Sequence, residues 1–90
     1  VAFVGTNGIS ARHGFSTPDS DEAAIKRAMV QCANHVVVTA DSSKFGHEAL
    51  VSFAPLSAVR TVVTDNDVRD HARRQLVDAG IEVICAEAGS

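Results

Sequence analysis

The chain has 90 residues, 46% of them hydrophobic and 21% charged, with a formal net charge of −3. This is ordinary usage for one small globular domain, with a core of modest size. No run of 18 apolar residues offers a membrane span, no basic block marks a nucleic-acid footprint, and Cys32 and Cys85 lack metal-ligand spacing.

In chain order, Val1–Val4 reads as the first strand, and because "VAFVG" starts a strand in mid-flow the chain is expected to be cut from a longer protein. No signal peptide is visible, and a reducing cytoplasm is the expected compartment. "VGTNGIS", residues 4–10, reads as a loop at the strand's end. Gly5 and Gly8 permit close backbone approach, and Asn7 supplies a donor and an acceptor. A plain turn has the same composition. "ARHGFST" follows as a surface loop, or a lid over the first one.

The first helix starts at Asp19, with Glu22 three residues later as a capping box, and runs to about Ala33. Helical spacing puts Ile25, Ala28, Met29 and Cys32 on the buried stripe, with Glu22 and Lys26 beside it at i, i+4. That pair is either an ordinary ion pair at the core's edge or an acid and an amine presented to a pocket.

His35–Ala40 is the next strand. It ends in "ADSSKFG", which sets Asp41, Ser42, Ser43 and Lys44 within four positions. Lys44 suits a phosphate or carboxylate, Asp41 can accept from sugar hydroxyls or hold Lys44, and the serines can donate. A polar turn with a solvated lysine is the alternative. "EALVSFAPL" suggests a short strand ending before Pro55. Arg60–Thr64, a helix from about Asp65–Asp67 to Ala79-Gly80, and Glu82–Ala86 close the chain as strand, helix, strand. Val68, Ala72, Leu76 and Val77 form that helix's inner stripe. This last unit reads as scaffold, with Thr64 and Asp65 reaching the pocket as the alternative. Both cysteines read as small core residues. His13, His35, His47 and His71 have no mutual spacing suited to a metal, so neither metal nor cofactor is expected.

The Val- and Ile-rich runs show little alternation, as in parallel strands covered on both faces. The expected class is α/β, a mostly parallel sheet with flanking helices, and ligands in such sheets bind beyond the strands' carboxyl ends.

Taken together, "FVGTNGIS", "HGFSTPDSDEAAIKRAM", "VVVTADSSKFG" and "APLSAVRTVVTD" resemble the carboxyl-terminal sensor domain of DeoR-family bacterial transcription regulators. The resemblance covers residues 1–90 and implies a partial sensor domain of ribose-5-phosphate-isomerase-like type. It implies a phosphorylated sugar as effector, a homo-oligomer, and DNA contacted only through a helix-turn-helix domain outside this chain. The positions carried over are Asn7, Gly8, Glu22, Lys26, Asp41 and Lys44 for ligand binding, with no catalytic residue. The isomerase places carboxylates in the loop matching "VGTNG", where this chain has none, so a sensor rather than an enzyme is expected. Ligand binding is expected to order the loop Ser10–Pro18.

Overall fold

The computed structural model describes residues 1–86. Strands β1 (Ala2–Gly5), β4 (Val36–Thr39), β6 (Thr61–Asp65) and β7 (Glu82–Ala86) form a parallel sheet in the order β1-β4-β6-β7. Helix α1 (Ser20–Cys32) lies between β1 and β4 in the chain, and α2 (Asp70–Asp78) between β6 and β7. The α/β class and all four of these strands follow the sequence reading.

The strand order advances in one direction across the sheet. Parallel crossovers are right-handed, so all three connections fall on the same side. Val4, Val38 and Val62 share a row on that side and are buried. The opposite face carries Phe3 and Ile84, 68% and 45% exposed. The expectation of cover on both faces therefore holds only at the sheet's centre, where Val37 and Thr61 are buried on that opposite face, because one-way topology puts every connection of this chain on the other side.

The covered side is built partly from a second sheet that the sequence reading did not foresee. Strands β2 (Gly8–Ser10), β3 (Gly14–Thr17) and β5 (Val51–Ala54) pair antiparallel in the order β2-β3-β5. Ile9, Phe15 and Phe53 from this sheet join the valines in one core. Burying each Phe stabilises the fold by roughly 1.5–3 kcal/mol. The stretch Ser10–Pro18, read as a loop that a ligand would order, is largely hairpin: Phe15, Ser16 and Thr17 are fully buried. Its turn is braced from outside. Glu48 accepts from Ser10 Oγ at 2.7 Å and from the Arg12 guanidinium.

Arg12 and then Ser10 hold the Glu48 carboxyl down at about 2, against an ordinary 4.5. A lowered carboxylate pKa contributes stability that is complete above the unfolded value and is lost as pH falls through the folded one. The window therefore runs from about 4.5 down to about 2. Arg12 is 85% exposed, so solvent screens the pair and thermal melts will register little of it. A carboxyl NMR titration is the sensitive check. A midpoint near 2 is expected, whereas one near 4.5 would mean that the brace does not form in solution.

α1 starts as expected. The Asp19 side chain accepts from Asp21 N at 2.9 Å, while Glu22 pairs with Lys26 rather than closing a capping box. Its inner face is not the expected one. Ala23 is fully buried and Val30 and Ala33 pack on the core, while Ile25 and Met29 are exposed, as are Ala28 and Cys32. A helix with apolar residues on two sides gives no local signal for which side wins. Here the small Ala23 allows close approach to the core.

α2 begins at Asp70, later than expected, because Asp65 Oδ1 accepts from Asp67 N at 2.9 Å and holds residues 65–68 as a turn. Leu76 is its buried residue, and Val77 is half exposed. The helix stops at Gly80 with paired bonds from Gly80 N to Val77 O and from Ile81 N to Leu76 O, a Schellman ending.

Candidate functional site

The carboxyl ends of β1, β4 and β6 open into a hollow of about 540 Å³. Gly5 and Thr6 line it from β1, Thr39 and Ala40 from β4, and Val63, Thr64 and Asp65 from β6. Asp41 and Lys44 complete it from the turn after β4. This is where an open α/β sheet offers a ligand unpaired backbone groups and converging side chains.

The "DSSK" turn has a local cause. Asp41 caps a 3₁₀ turn over Ser42–Lys44, its carboxylate accepting from Ser43 N at 3.0 Å and from the Ser43 hydroxyl. The turn is tied to the sheet by Ser42 N, which donates to Asp65 Oδ2 at 3.0 Å. Both acids are held below the usual carboxylate range. For Asp41 the Ser43 hydroxyl is the main cause, with Lys44 adding to it. For Asp65 the backbone N–H groups of Ser42 and then Asp67 are responsible.

The turn also separates residues that the sequence reading grouped together. Asp41 and Lys44 face the strand-end hollow, whereas Ser42, Ser43 and Phe45 face a second one of about 730 Å³. The larger hollow is bounded by Ser10, Ala11 and Arg12 of the hairpin and by Arg69, His71 and Gln75 at the start of α2. Size alone does not make it the site. It opens on the turns that follow β4 and β6 and on α2 rather than on the strand-end residues themselves, and Arg12 already serves Glu48.

Lys26 points inward. Its Nζ donates to Gly5 O at 2.7 Å, pairs with Glu22 at 2.9 Å and sits 5.3 Å from the centre of the Phe53 ring. Only 14% of its side chain is exposed, so this amine braces the end of β1 from behind the hollow, with Glu22 as its counter-ion. Asn7 accepts from Thr17 Oγ1 at 3.2 Å, beside Thr6, whose hydroxyl donates to Gly8 O and Ser16 O. Gly8 is buried in β2, where a Cβ would stand 2.5 Å from His47 O and 2.7 Å from Ser16 Oγ. Close approach of two backbones is sufficient reason for glycine there.

Of the six sequence candidates, Asp41 and Lys44 thus line the hollow, Lys26 and Glu22 back it, and Asn7 and Gly8 belong to its supporting hairpin. Thr6, Thr64 and Asp65 line it too, the last two in keeping with the alternative to the scaffold reading of their unit. A signal for them was present: "VVTD" ends β6 much as "VVTAD" ends β4. The Thr64 hydroxyl is buried there without a partner among the described residues. Among the described residues, no group of three His, Cys, Asp or Glu side chains gathers to hold a metal, and no helix is long and apolar enough to cross a membrane.

The family model described as the DeoR C terminal sensor domain matches residues 1–66. The chain belongs to this family. Among curated relatives it is similar to the HTH-type transcriptional regulator GlpR of Haloferax volcanii, at 38% identity over 84 residues, which is 93% of this chain and 33% of that protein. It is also similar to the HTH-type transcriptional repressor GlcR of Bacillus subtilis, at 32% identity over 87 residues, covering 96% of this chain and 33% of the relative. The glycerol-3-phosphate regulon repressor of Escherichia coli is 36% identical over 62 residues, or 69% of this chain and 25% of its own. The chain therefore spans about a third or less of the length of these relatives. Within the DeoR sensor domain, the residues from β1 through β6 that build the strand-end hollow fall inside the matched region, except Ala86 of β7.

Proposed function

We propose that this DeoR sensor domain binds a phosphorylated sugar and transmits its presence to a separate helix-turn-helix domain of the same protein. The observation that carries the reading is Lys44 beside Asp41 in the hollow beyond the strand ends. Among the described residues the Lys44 ammonium has no ion-pair partner at bonding distance, so its charge is open to the anionic oxygens of a phosphate. Asp41, kept ionised by Ser43, accepts from sugar hydroxyls. Asn7 and Gly8 belong to the hairpin that supports the site, and Lys26 with Glu22 holds the carbonyl of Gly5, a residue of its lining. The Escherichia coli relative is named a glycerol-3-phosphate regulon repressor, and a phosphorylated polyol shares the phosphate and hydroxyl groups this reading invokes.

Effector binding then shifts the relation between protomers of a homo-oligomer and so the affinity for operator DNA. The shift is limited by the difference in effector affinity between the two arrangements. Sugar-phosphate isomerisation requires a base able to take a proton beside a carbonyl. Asp41 and Asp65 are both held in ionised, weakly basic form, which argues against that chemistry.

The test is a titration of the full-length protein with glycerol 3-phosphate, pentose 5-phosphates, hexose 6-phosphates and ketose 1-phosphates, each beside its unphosphorylated counterpart. Saturable binding of one phosphorylated member, at least about tenfold tighter than its free sugar and without turnover, is expected for one charge-assisted contact. Equal binding of the free sugar, or conversion of the sugar phosphate, would overturn the reading.

A further inference from the structure

We propose that Asp65 is a specificity-determining residue of this pocket, forming with Asp41 a pair of carboxylates that reads two neighbouring hydroxyls of the effector. The inference rests on the sugar-phosphate reading and gives a specific role to Asp65, which the sequence offered only as an alternative to scaffold.

The argument begins with register. β4 and β6 are parallel neighbours with Thr39 opposite Val63, and the ladder continues one step further through Ala40 N to Val63 O at 3.1 Å. Asp41 and Asp65 each follow that matched pair by two residues. Adjacent strands lie about 4.8 Å apart and side chains two positions apart share a face. The two carboxylates therefore come to the same edge of the same hollow, where both are lining residues. They are near enough for the charge of Asp65 to oppose the ionisation of Asp41.

The charge of one such acid opposes the ionisation of the other. Here each is held ionised by its own donors, so both remain acceptors. Asp65 is also immobilised: Oδ2 takes Ser42 N at 3.0 Å and Oδ1 takes Asp67 N at 2.9 Å. A carboxylate has about four acceptor positions, so lone pairs remain after these two bonds. The residue is only partly buried and lines the hollow. A pre-oriented acceptor that needs no rearrangement is what discrimination among hydroxyl patterns requires, since a sugar lacking the matching hydroxyl leaves it unpaired. Lys44 at the same hollow takes the phosphate, so the two ends of the effector are read by opposite charges.

The experiment is calorimetric titration of the full-length protein, wild type and Asp65→Asn, with the sugar phosphates named above, their single-deoxy analogues and the free sugars. The asparagine keeps the shape and one acceptor oxygen. In the wild type, one deoxy analogue should bind about tenfold or more weaker than its parent. In Asp65→Asn the parent should weaken by a similar factor, and the difference between parent and that analogue should shrink to about twofold. Should the asparagine variant fail to fold, Asp65→Ser, whose hydroxyl can still accept one of the two N–H bonds, serves in its place. Uniform weakening of parent and every analogue would make Asp65 a brace for the turn only and would overturn the proposal. Unchanged binding would overturn it as well, and both results leave the sugar-phosphate reading standing. If only free sugars bind, the phosphate reading fails and the same cycle, run with free deoxy sugars, judges Asp65. If no member of either class binds, both fall.

Discussion

Gly14→Ala will unfold or severely weaken the small sheet. Gly14 opens β3 at φ +72°, in the left-handed region, and a Cβ there would lie 2.2 Å from Ala54 O and 3.0 Å from the Pro55 Cα. The conformational term costs about 1–2 kcal/mol and the overpacking about 1–3, together roughly 2–5 kcal/mol. The atoms in the way are backbone of β5 and the residue after it, so they cannot swing aside as a flexible side chain would. Against a total stability of about 5–15 kcal/mol, that is a large fraction. A melt followed by circular dichroism should fall by at least roughly 10 °C. A change under about 3 °C would mean that β3 and β5 are not packed as described.

The second large effect is expected at Lys44, and it is on affinity rather than stability. Lys44→Ala should weaken binding of the phosphorylated effector by roughly 10–100-fold, the range for hydrogen bonds to a charged group. Affinity for the free sugar should change little, because hydroxyl recognition is placed on the carboxylates. The fold should change by no more than about 0.5 kcal/mol, as expected for a partly exposed side chain outside any buried network. Calorimetric titration of wild type and variant with the same sugar phosphate checks the first point, and a thermal melt checks the second. Equal loss for free and phosphorylated sugar would move the phosphate contact elsewhere, and unchanged affinity would remove Lys44 from the site.

These two residues mark the difference between scaffold and pocket. Gly14 holds a hairpin that carries Phe15, Ser16 and Thr17 into the core, and through Ser16 O and Thr17 it supports Thr6 and Asn7. Lys44 lies on a turn whose geometry is set by Asp41 and Asp65. The hairpin is also why a ligand-ordered loop at Ser10–Pro18 is no longer needed, since that stretch is ordered by burial.

The elements whose cause is local were legible in the residues alone. Four valine-rich runs became the parallel strands, Asp19 capped α1, and Gly80 ended α2. Each depends on side chains bonding within a few positions or on continuous apolar character, which any reader of the chain can see. What depended on partners distant in sequence was not legible. The inner face of α1 differs from the expected one because the choice between Ile25 with Met29 and Ala23 with Val30 is made by β5, some twenty residues further on, which offers the Phe53 ring to the ammonium of Lys26. β2 and β3 were missed because three or four residues carry no periodicity of their own, and only pairing with each other and with β5 makes them strands. The pocket shows the same division. Asp41 and Lys44 could be named from one short motif, but the sequence could not show that Ser42 and Ser43 line a different hollow or that Asp65 stands beside Asp41. Those placements follow from the parallel register of β4 and β6, a relation between segments more than twenty residues apart that only the folded chain establishes.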